Sequence, residues 1–361
     1  MKTKKSIKKF FITLLVLVLL TAALAAAGVV YLTVHEYSPE ERESVDPFGV
    51  STKSVSPGDT VTFLTYNIGY GADDDKHDFF MDGGKTVTTE SADNITANMD
   101  GIIKVLTEQN ANISLLQEVD IDSKRSYNID EASLISNAFS DSNYAFATNF
   151  LCEYIPYPVT DTVGKVHAGI MTINKFNVNS AERIALTNGF KWPVSTCQLK
   201  RCLLVEKIPL QDSKKELVVI NLHLDAYDNG EGKKAQYKEL CEFMQLEYAK
   251  GNYVVAGGDF NSTLPSVAKN KYPLKNTEYY EPPTITTEYL TGGWKYCTDD
   301  SLPSSRLLNE PYDKSSENTQ YYVIDGFICS PNTIVQSTKT IDTEFKYSDH
   351  NPITVSVTLV K

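Results

Sequence analysis

One long apolar run opens the chain, and shorter apolar runs recur after it. Residues 10–34, FFITLLVLVLLTAALAAAGVVYLTV, carry no charge, a length sufficient for one helix to cross the hydrocarbon core of a bilayer. Lys2, Lys4, Lys5, Lys8 and Lys9 precede it, which predicts a cytoplasmic N-terminus and an extracytoplasmic remainder. The competing reading is a cleaved signal peptide. Ala25-Ala26-Ala27 offers a small-residue site, but residues 28–34 continue the apolar run, beyond the roughly 7–15 residues of a signal's apolar region. Both readings export the rest of the chain. Residues 35–58 mix charge, Ser, Pro and Gly without a period and read as a linker. The chain therefore divides into a basic segment (1–9), an anchor (10–34), a linker (35–58) and a globular domain (59–361).

Eight short runs in that domain predict buried strands, being rich in Val, Ile, Leu and aromatics and too short for helices. They are residues 61–68, 113–119, 167–173, 202–208, 216–224, 253–260, 321–328 and 353–360. Two stretches predict amphipathic helices. Residues 93–109 place Ile95, Met99, Ile102, Ile103 and Leu106 at helical spacing, and residues 233–249 do so with Tyr237, Leu240, Cys241, Met244 and Tyr248. Each precedes a strand by a short loop, the rhythm of helices packed on a sheet, so the class is α/β or α+β. Residues 264–320 show no sustained period, and a loop of that length inside a compact domain is commonly functional.

Charge narrows the functional classes. Five of the 34 basic residues precede the apolar run, leaving 29 against 46 acidic ones. That balance excludes a protein that coats long nucleic acid by electrostatics alone. Six cysteines permit disulfides in an exported domain, but their spacing shows no dense framework, and small buried side chains are the simpler reading. No Cys/His spacing indicates structural zinc.

Polar residues gather at the ends of the apolar runs. Asn67 closes the first and Glu118 the second. His223 and Asp225 follow Val218-Val219-Ile220, while Asp259 and Asn261 follow the run through Gly258. Asp325 sits inside Val323-Ile324-Asp325-Gly326, and Asp349-His350 precedes the last run. Singly, each is equally a turn former or a satisfied core residue. Together, if the strands share a sheet, they bring carboxylates, amides and histidines to one edge. Hard oxygen donors of this kind suit Mg²⁺ or Mn²⁺.

The ordered series TYNIGYG, LLQEVD, NLHLDAYD, GGDFNST, VIDGFI and YSDHNP resembles the motifs of the endonuclease/exonuclease/phosphatase superfamily, which includes DNase I-like nucleases, inositol-polyphosphate 5-phosphatases and neutral sphingomyelinases. The likeness runs from about residue 60 to the C-terminus. It implies a four-layer, DNase I-like sandwich of two packed β-sheets flanked by helices. It also implies roles. Glu118 and Asn67 would hold Mg²⁺, with Mn²⁺ the second candidate, and Asp349 would be a further metal carboxylate. Asp259 would orient or deprotonate the attacking water, and Asn261 would hold that water or a phosphoryl oxygen. His223 would donate to a phosphoryl oxygen. His350, aligned by Asp325, would act on the scissile phosphate, and Arg201 matches a basic phosphate-binding position. Phosphoryl transfer needs such a positioned water together with charge neutralisation on the equatorial oxygens.

The Ser-Arg pair that many members carry after the central Gly-containing strand is replaced by residues 171–175, MTINK. Extra basic stretches that would grip a polyphosphorylated ring are also missing. The expectation is a membrane-anchored, extracytoplasmic, Mg²⁺-dependent phosphoesterase acting on a phosphorylated small molecule or a lipid headgroup. Its rivals are an extracellular DNase-like endonuclease, for which nucleic acid would be the partner, and a non-catalytic surface binding module. Tyr66 and Tyr227 read as packing residues, His77 as part of a solvated acidic loop, Phe79 and Phe80 as exposed, and Arg125 as a lesser phosphate candidate.

Overall fold

Two strand–helix–strand units set the frame of the fold. In the computed structural model, which describes residues 2–227 and 230–361, Thr60–Asn67 lies parallel to Ile113–Asp120, with helix Ala92–Gln109 between them in sequence. Glu216–His223 lies parallel to Tyr253–Asp259, with helix Glu231–Ala249 between them. Parallel neighbours cannot be joined by a tight hairpin, so each pair needs a crossover, and each crossover helix packs back on its sheet. Ile95, Met99, Ile102 and Leu106 form one buried cluster with Leu64, Tyr66 and Leu116. Tyr237, Leu240, Cys241 and Met244 form another with Val218, Ile220, Val254 and Ala256. The first helix starts where the Ser91 side chain accepts from the Asn94 N–H and ends at Asn110 in the left-handed region.

Antiparallel strands complete a seven-stranded sheet around each pair. One sheet runs Arg42–Val45, Ser180–Ala185, Cys202–Pro209, Glu216–His223, Tyr253–Asp259, Asp325–Cys329, Lys295–Cys297. The other runs Thr333–Thr340, Ile353–Leu359, Thr60–Asn67, Ile113–Asp120, Gly164–Asn174, Asn143–Ile155, Phe48–Gly49. Val61, Phe63, Ile113 and Leu115 of the second sheet meet Leu217, Val219, Val255 and Phe327 of the first in a dry central layer. This is the expected four-layer arrangement. Gly257 sets the close approach of the sheets, because a Cβ there would lie 2.4 Å from the Phe327 ring and 3.0 Å from Leu115 Cδ1.

Seven of the eight predicted strands match to within three residues. The eighth divides into Tyr321–Tyr322 and Asp325–Cys329, because the Ser304 hydroxyl takes the N–H groups of Ile324 (2.9 Å) and Asp325 (3.2 Å) that would otherwise continue a ladder. Residues 35–58 are not a free linker. Arg42–Val45 pairs with Ser180–Ala185, Phe48–Gly49 pairs with Asn143–Ile155, and Val55 is buried. Helix Lys2–Val34 covers the apolar run, and its 6–34 portion is long and apolar enough to cross a membrane. All six cysteines are free thiols.

Polar contacts also bridge the sheets. Asn174 Nδ2 donates to Glu206 Oε2 at 2.7 Å, while Glu206 Oε1 finds no partner among the described residues. Burial pushes the Glu206 carboxyl up to about 7 from its ordinary 4.5. The folded protein then binds this proton more tightly than the unfolded chain, so the contribution to stability is full below about pH 4.5 and is lost as pH rises through 7. Glu206→Gln removes the titration and is expected to stabilise the protein at pH 8 by on the order of 2–3 kcal/mol. Urea midpoints at pH 8 and pH 5 test this; a shift of equal size at both would refute it.

Candidate active site

The carboxyl ends of both parallel pairs line one cavity of about 650 Å³, as open sheets place sites beyond the ends of parallel strands. Asn67 ends one strand. Glu118 lies in a β-bulge, where the register against Gly164–Asn174 shifts between Leu116 and Val119, and it adopts φ 56°. A left-handed conformation outside glycine costs about 1–3 kcal/mol, and the bulge re-aims the carboxylate toward the cavity. His223 and Asp259 are register partners at the ends of the other pair, and Asp325 faces Asp259 across the next strand. Asn261 follows at φ 46°.

The side chains converge. Asp259 Oδ2 accepts from Asn67 Nδ2 at 3.2 Å and lies 3.5 Å from His223 Nε2 and 3.8 Å from His350 Nε2. Its Oδ1 takes the Asn261 N–H at 2.7 Å. His350 Nδ1 meets Asp325 Oδ2 at 2.8 Å, and Ser304 Oγ donates to the same oxygen at 2.7 Å. His350 Nε2 is 3.8 Å from Asp349 Oδ2, and His223 Nε2 is 3.8 Å from Glu118 Oε1. Arg201 Nε donates to Asp225 Oδ1 at 2.9 Å.

The environment drives the two imidazoles apart. Burial alone would lower His350, but the carboxylates of Asp325, Asp349 and Asp259 outweigh it and raise the group well above its ordinary value. Burial, reinforced by the positive charges of Arg201 and His350, lowers His223 well below its own. The surroundings therefore favour the protonated form of His350 and the neutral form of His223, the kind of separation that gives like groups different proton-handling roles.

Eight of the nine expected residues line the cavity: Asn67, Glu118, Arg201, His223, Asp259, Asn261, Asp349 and His350. Asp325 stands behind His350 as its partner. The last residue of the NLHLDAYD motif, Asp228, lies outside the described residues. Several expectations need correction. His77 is buried, not solvated, with Nε2 3.5 Å from Asp73. Phe79 and Phe80 are half-buried cavity walls. Tyr227 is half exposed in the cavity and donates to Asp82 Oδ1 at 2.7 Å. Arg125 lines the cavity too, gripped bidentately by Asp120 (3.0 and 2.9 Å) over the Tyr70 ring. Asp73, Asp82, Tyr280 and Arg306, none of them singled out by sequence, also line it. The three aspartates of residues 73–75 were visible as an acidic cluster, but nothing in their spacing tied Asp73 to Glu118.

The donor set fits a hard divalent cation. Burial and then the charge of Asp349 push Glu118 up to about 7. Burial also raises Asp73, Asp82, Asp259 and Asp349. Among the described residues no hydrogen-bond donor serves the Glu118 carboxylate. Carboxylates that raise one another in this way are a charge arrangement that a bound cation would relieve. Asp259, Asp325 and His350 also stand close enough to share an ion. Asp325 is committed to His350 and Ser304, however, and Asn67 Oδ1 accepts the Gly69 N–H at 3.1 Å, so Glu118 and Asp349 are the carboxylates of the expected set that could hold an ion.

A model of the Endonuclease/Exonuclease/phosphatase family matches residues 64–350. The fold is similar to that of an endonuclease/exonuclease/phosphatase from Beutenbergia cavernae DSM 12333, at 13% identity and TM-score 0.56, over 83% of this chain and 72% of that one. A second such protein, from Bacteroides vulgatus, is 16% identical with TM-score 0.51, over 83% and 99%. TDP2 from Caenorhabditis elegans is 14% identical with TM-score 0.50, over 84% and 76%. No curated protein matches the chain. At these identities the structural likeness concerns the fold.

Proposed function

The chain belongs to the endonuclease/exonuclease/phosphatase family, whose members are metal-dependent phosphoesterases and nucleases, and on that premise we propose that it is a Mg²⁺-dependent phosphoesterase. Its substrate is a phosphate ester of a small molecule or lipid headgroup, hydrolysed by residues 59–361 on the extracytoplasmic side of a membrane anchored by residues 10–34. One observation carries this reading: Asp259, bracketed by Asn67 and Asn261, faces the His350–Asp325 pair across a carboxylate-lined cavity.

Mg²⁺, with Mn²⁺ the second candidate, would be held by Glu118, Asn67 and Asp349 and would neutralise charge on the phosphoryl oxygens. Asp259 takes the proton of the attacking water, and Asn261 positions that water. His350, its ring oriented through Nδ1 by Asp325, donates from Nε2 to a phosphoryl oxygen. His223 donates to a second oxygen, and Arg201, whose NH1 has no partner among the described residues, binds a third. The new bond joins water oxygen to phosphorus, the bond to the ester oxygen breaks, and that oxygen leaves with the electron pair and takes a proton from solvent.

The test is turnover by the full chain in detergent micelles, with and without Mg²⁺. The substrates are bis-p-nitrophenyl phosphate, plasmid DNA, sphingomyelin and inositol phosphates, with Asp259→Ala as control. Mg²⁺-dependent cleavage of a non-nucleic-acid ester, lost in the variant, supports the proposal. Preference for plasmid DNA would establish the nuclease instead, and a folded, Mg²⁺-binding protein that cleaves nothing would point to a binding module. The full chain is required because a fragment beginning at residue 46 would lose strand Arg42–Val45.

A further inference from the structure

Along helix Lys2–Val34, Val29 and Leu32 stand out: within its apolar stretch they are partly covered while the rest of that stretch is exposed. What covers them is the wall of the catalytic cavity. Both line it, together with Phe80, Tyr157 and Val194, in the same space as Glu118, His223 and Asp259. Leu32 packs against the buried cluster of Phe150, Cys152, Val166 and Ala168, as Ile155 and Val163 do. Trp192 Nε1 donates to Thr33 Oγ1 at 3.0 Å, so the 190–199 segment is fastened to the last helical turn.

The helix also sets a depth. About 20 residues at about 1.5 Å each cross the hydrocarbon core. Counted from Phe10, the first residue after the lysines, the core ends near Val29, and residues 30–34 fall among the headgroups. The surface beside that turn is aromatic and aliphatic: Tyr154 (48% exposed), Tyr157 (61%), Val159 (87%), Trp192 (63%) and Val194 (53%). Tyrosine and tryptophan at this level are what a membrane–water interface selects, and a patch continuous with a spanning helix has the bilayer as its neighbour.

We propose that the final turn of this helix is a wall of the substrate site, and that the cavity opens at the bilayer interface to admit a phospholipid from the plane of the membrane. The headgroup phosphoester lies toward Glu118 and Asp259, and the lipid's backbone and the first carbons of its acyl chains lie against Leu32 and Val29. This rests on the phosphoesterase reading and on a membrane-spanning helix.

The chain has two tryptophans, so Trp294→Phe leaves Trp192 as sole reporter. The full-length variant is placed in phosphatidylcholine vesicles whose acyl chains are brominated near the headgroup. Trp192 emission is expected to fall by roughly half or more relative to unbrominated vesicles, as for an interfacial aromatic; unquenched emission overturns the proposal. If the protein does not sediment with vesicles, the spanning helix itself fails and the proposal with it. A second arm compares turnover of bis-p-nitrophenyl phosphate with that of vesicles holding equal phosphatidylcholine, phosphatidylethanolamine, phosphatidylglycerol and sphingomyelin. In Val29→Ser/Leu32→Ser the ratio of vesicle-lipid to soluble turnover is expected to fall roughly tenfold or more. An unchanged ratio overturns the proposal, whether both activities fall or neither does. Wild-type protein that cleaves the soluble diester but no vesicle lipid also overturns it, while the phosphoesterase reading stands. If wild type cleaves neither, that reading fails, and the quenching alone decides whether the mouth faces the bilayer.

Discussion

Asp259→Asn is expected to lower kcat roughly 10²–10⁴-fold, the range associated with losing a positioned base. The substitution keeps the shape and one carbonyl oxygen, so the 2.7 Å contact from the Asn261 N–H can persist. It removes one of several buried carboxylates that burial raises. Unfolding midpoints should therefore stay level or rise while turnover collapses. Measuring kcat and thermal midpoint together separates the two effects. A loss under tenfold in a folded protein would remove Asp259 from the proton-accepting role.

The second large effect belongs to the His350–Asp325 pair. His350 Nδ1 and Asp325 Oδ2 are 2.8 Å apart, and the Ser304 hydroxyl fixes the same oxygen. Asp325→Asn would remove the carboxylate that orients the ring through Nδ1 and favours its protonated form; a comparable change in a serine-protease triad costs about 10⁴-fold. We expect roughly 10³-fold or more from Asp325→Asn and a similar loss from His350→Ala. Because the residues act as a unit, the double variant should be little worse than either alone. Losses that multiply in the double variant would show that Asp325 acts independently of the ring.

Most strands that were legible from sequence are buried on both faces, such as Tyr253–Asp259, where every residue is covered; Ile353–Leu359, half-buried at every second place, was legible through its Ile, Val and Leu. The strands that escaped have one wetter face. Asn143–Ile155, the longest, alternates buried with half-buried residues and spends its positions on Ala, Thr, Asn and Tyr. Ser180–Ala185 carries charge or hydroxyls at half of its places and Thr333–Thr340 at most of them. Their partners, not their own apolar content, make them strands. The site was legible for a similar reason. Asn67, Glu118, His223 and Asp259 interrupt apolar runs at their carboxyl ends, where parallel pairing must bring them together. Asp73, Asp82, Tyr280 and Arg306 arrive from irregular segments with no period to read. The role of Val29 and Leu32 was hidden by the uniformity of their helix, because an apolar residue facing lipid and one facing a cavity look alike in sequence.

Residues 42–49 close the outer rail of both sheets, one short strand on each. An uncapped rail is a row of free N–H and C=O groups, a template for another chain. Cutting the protein after residue 49 would bare two such rails at once, one belonging to the 13-residue strand Asn143–Ile155. The fragment's expected fate is edge-to-edge self-association, so a shortened enzyme that precipitates would report lost edge protection rather than an unfolded core.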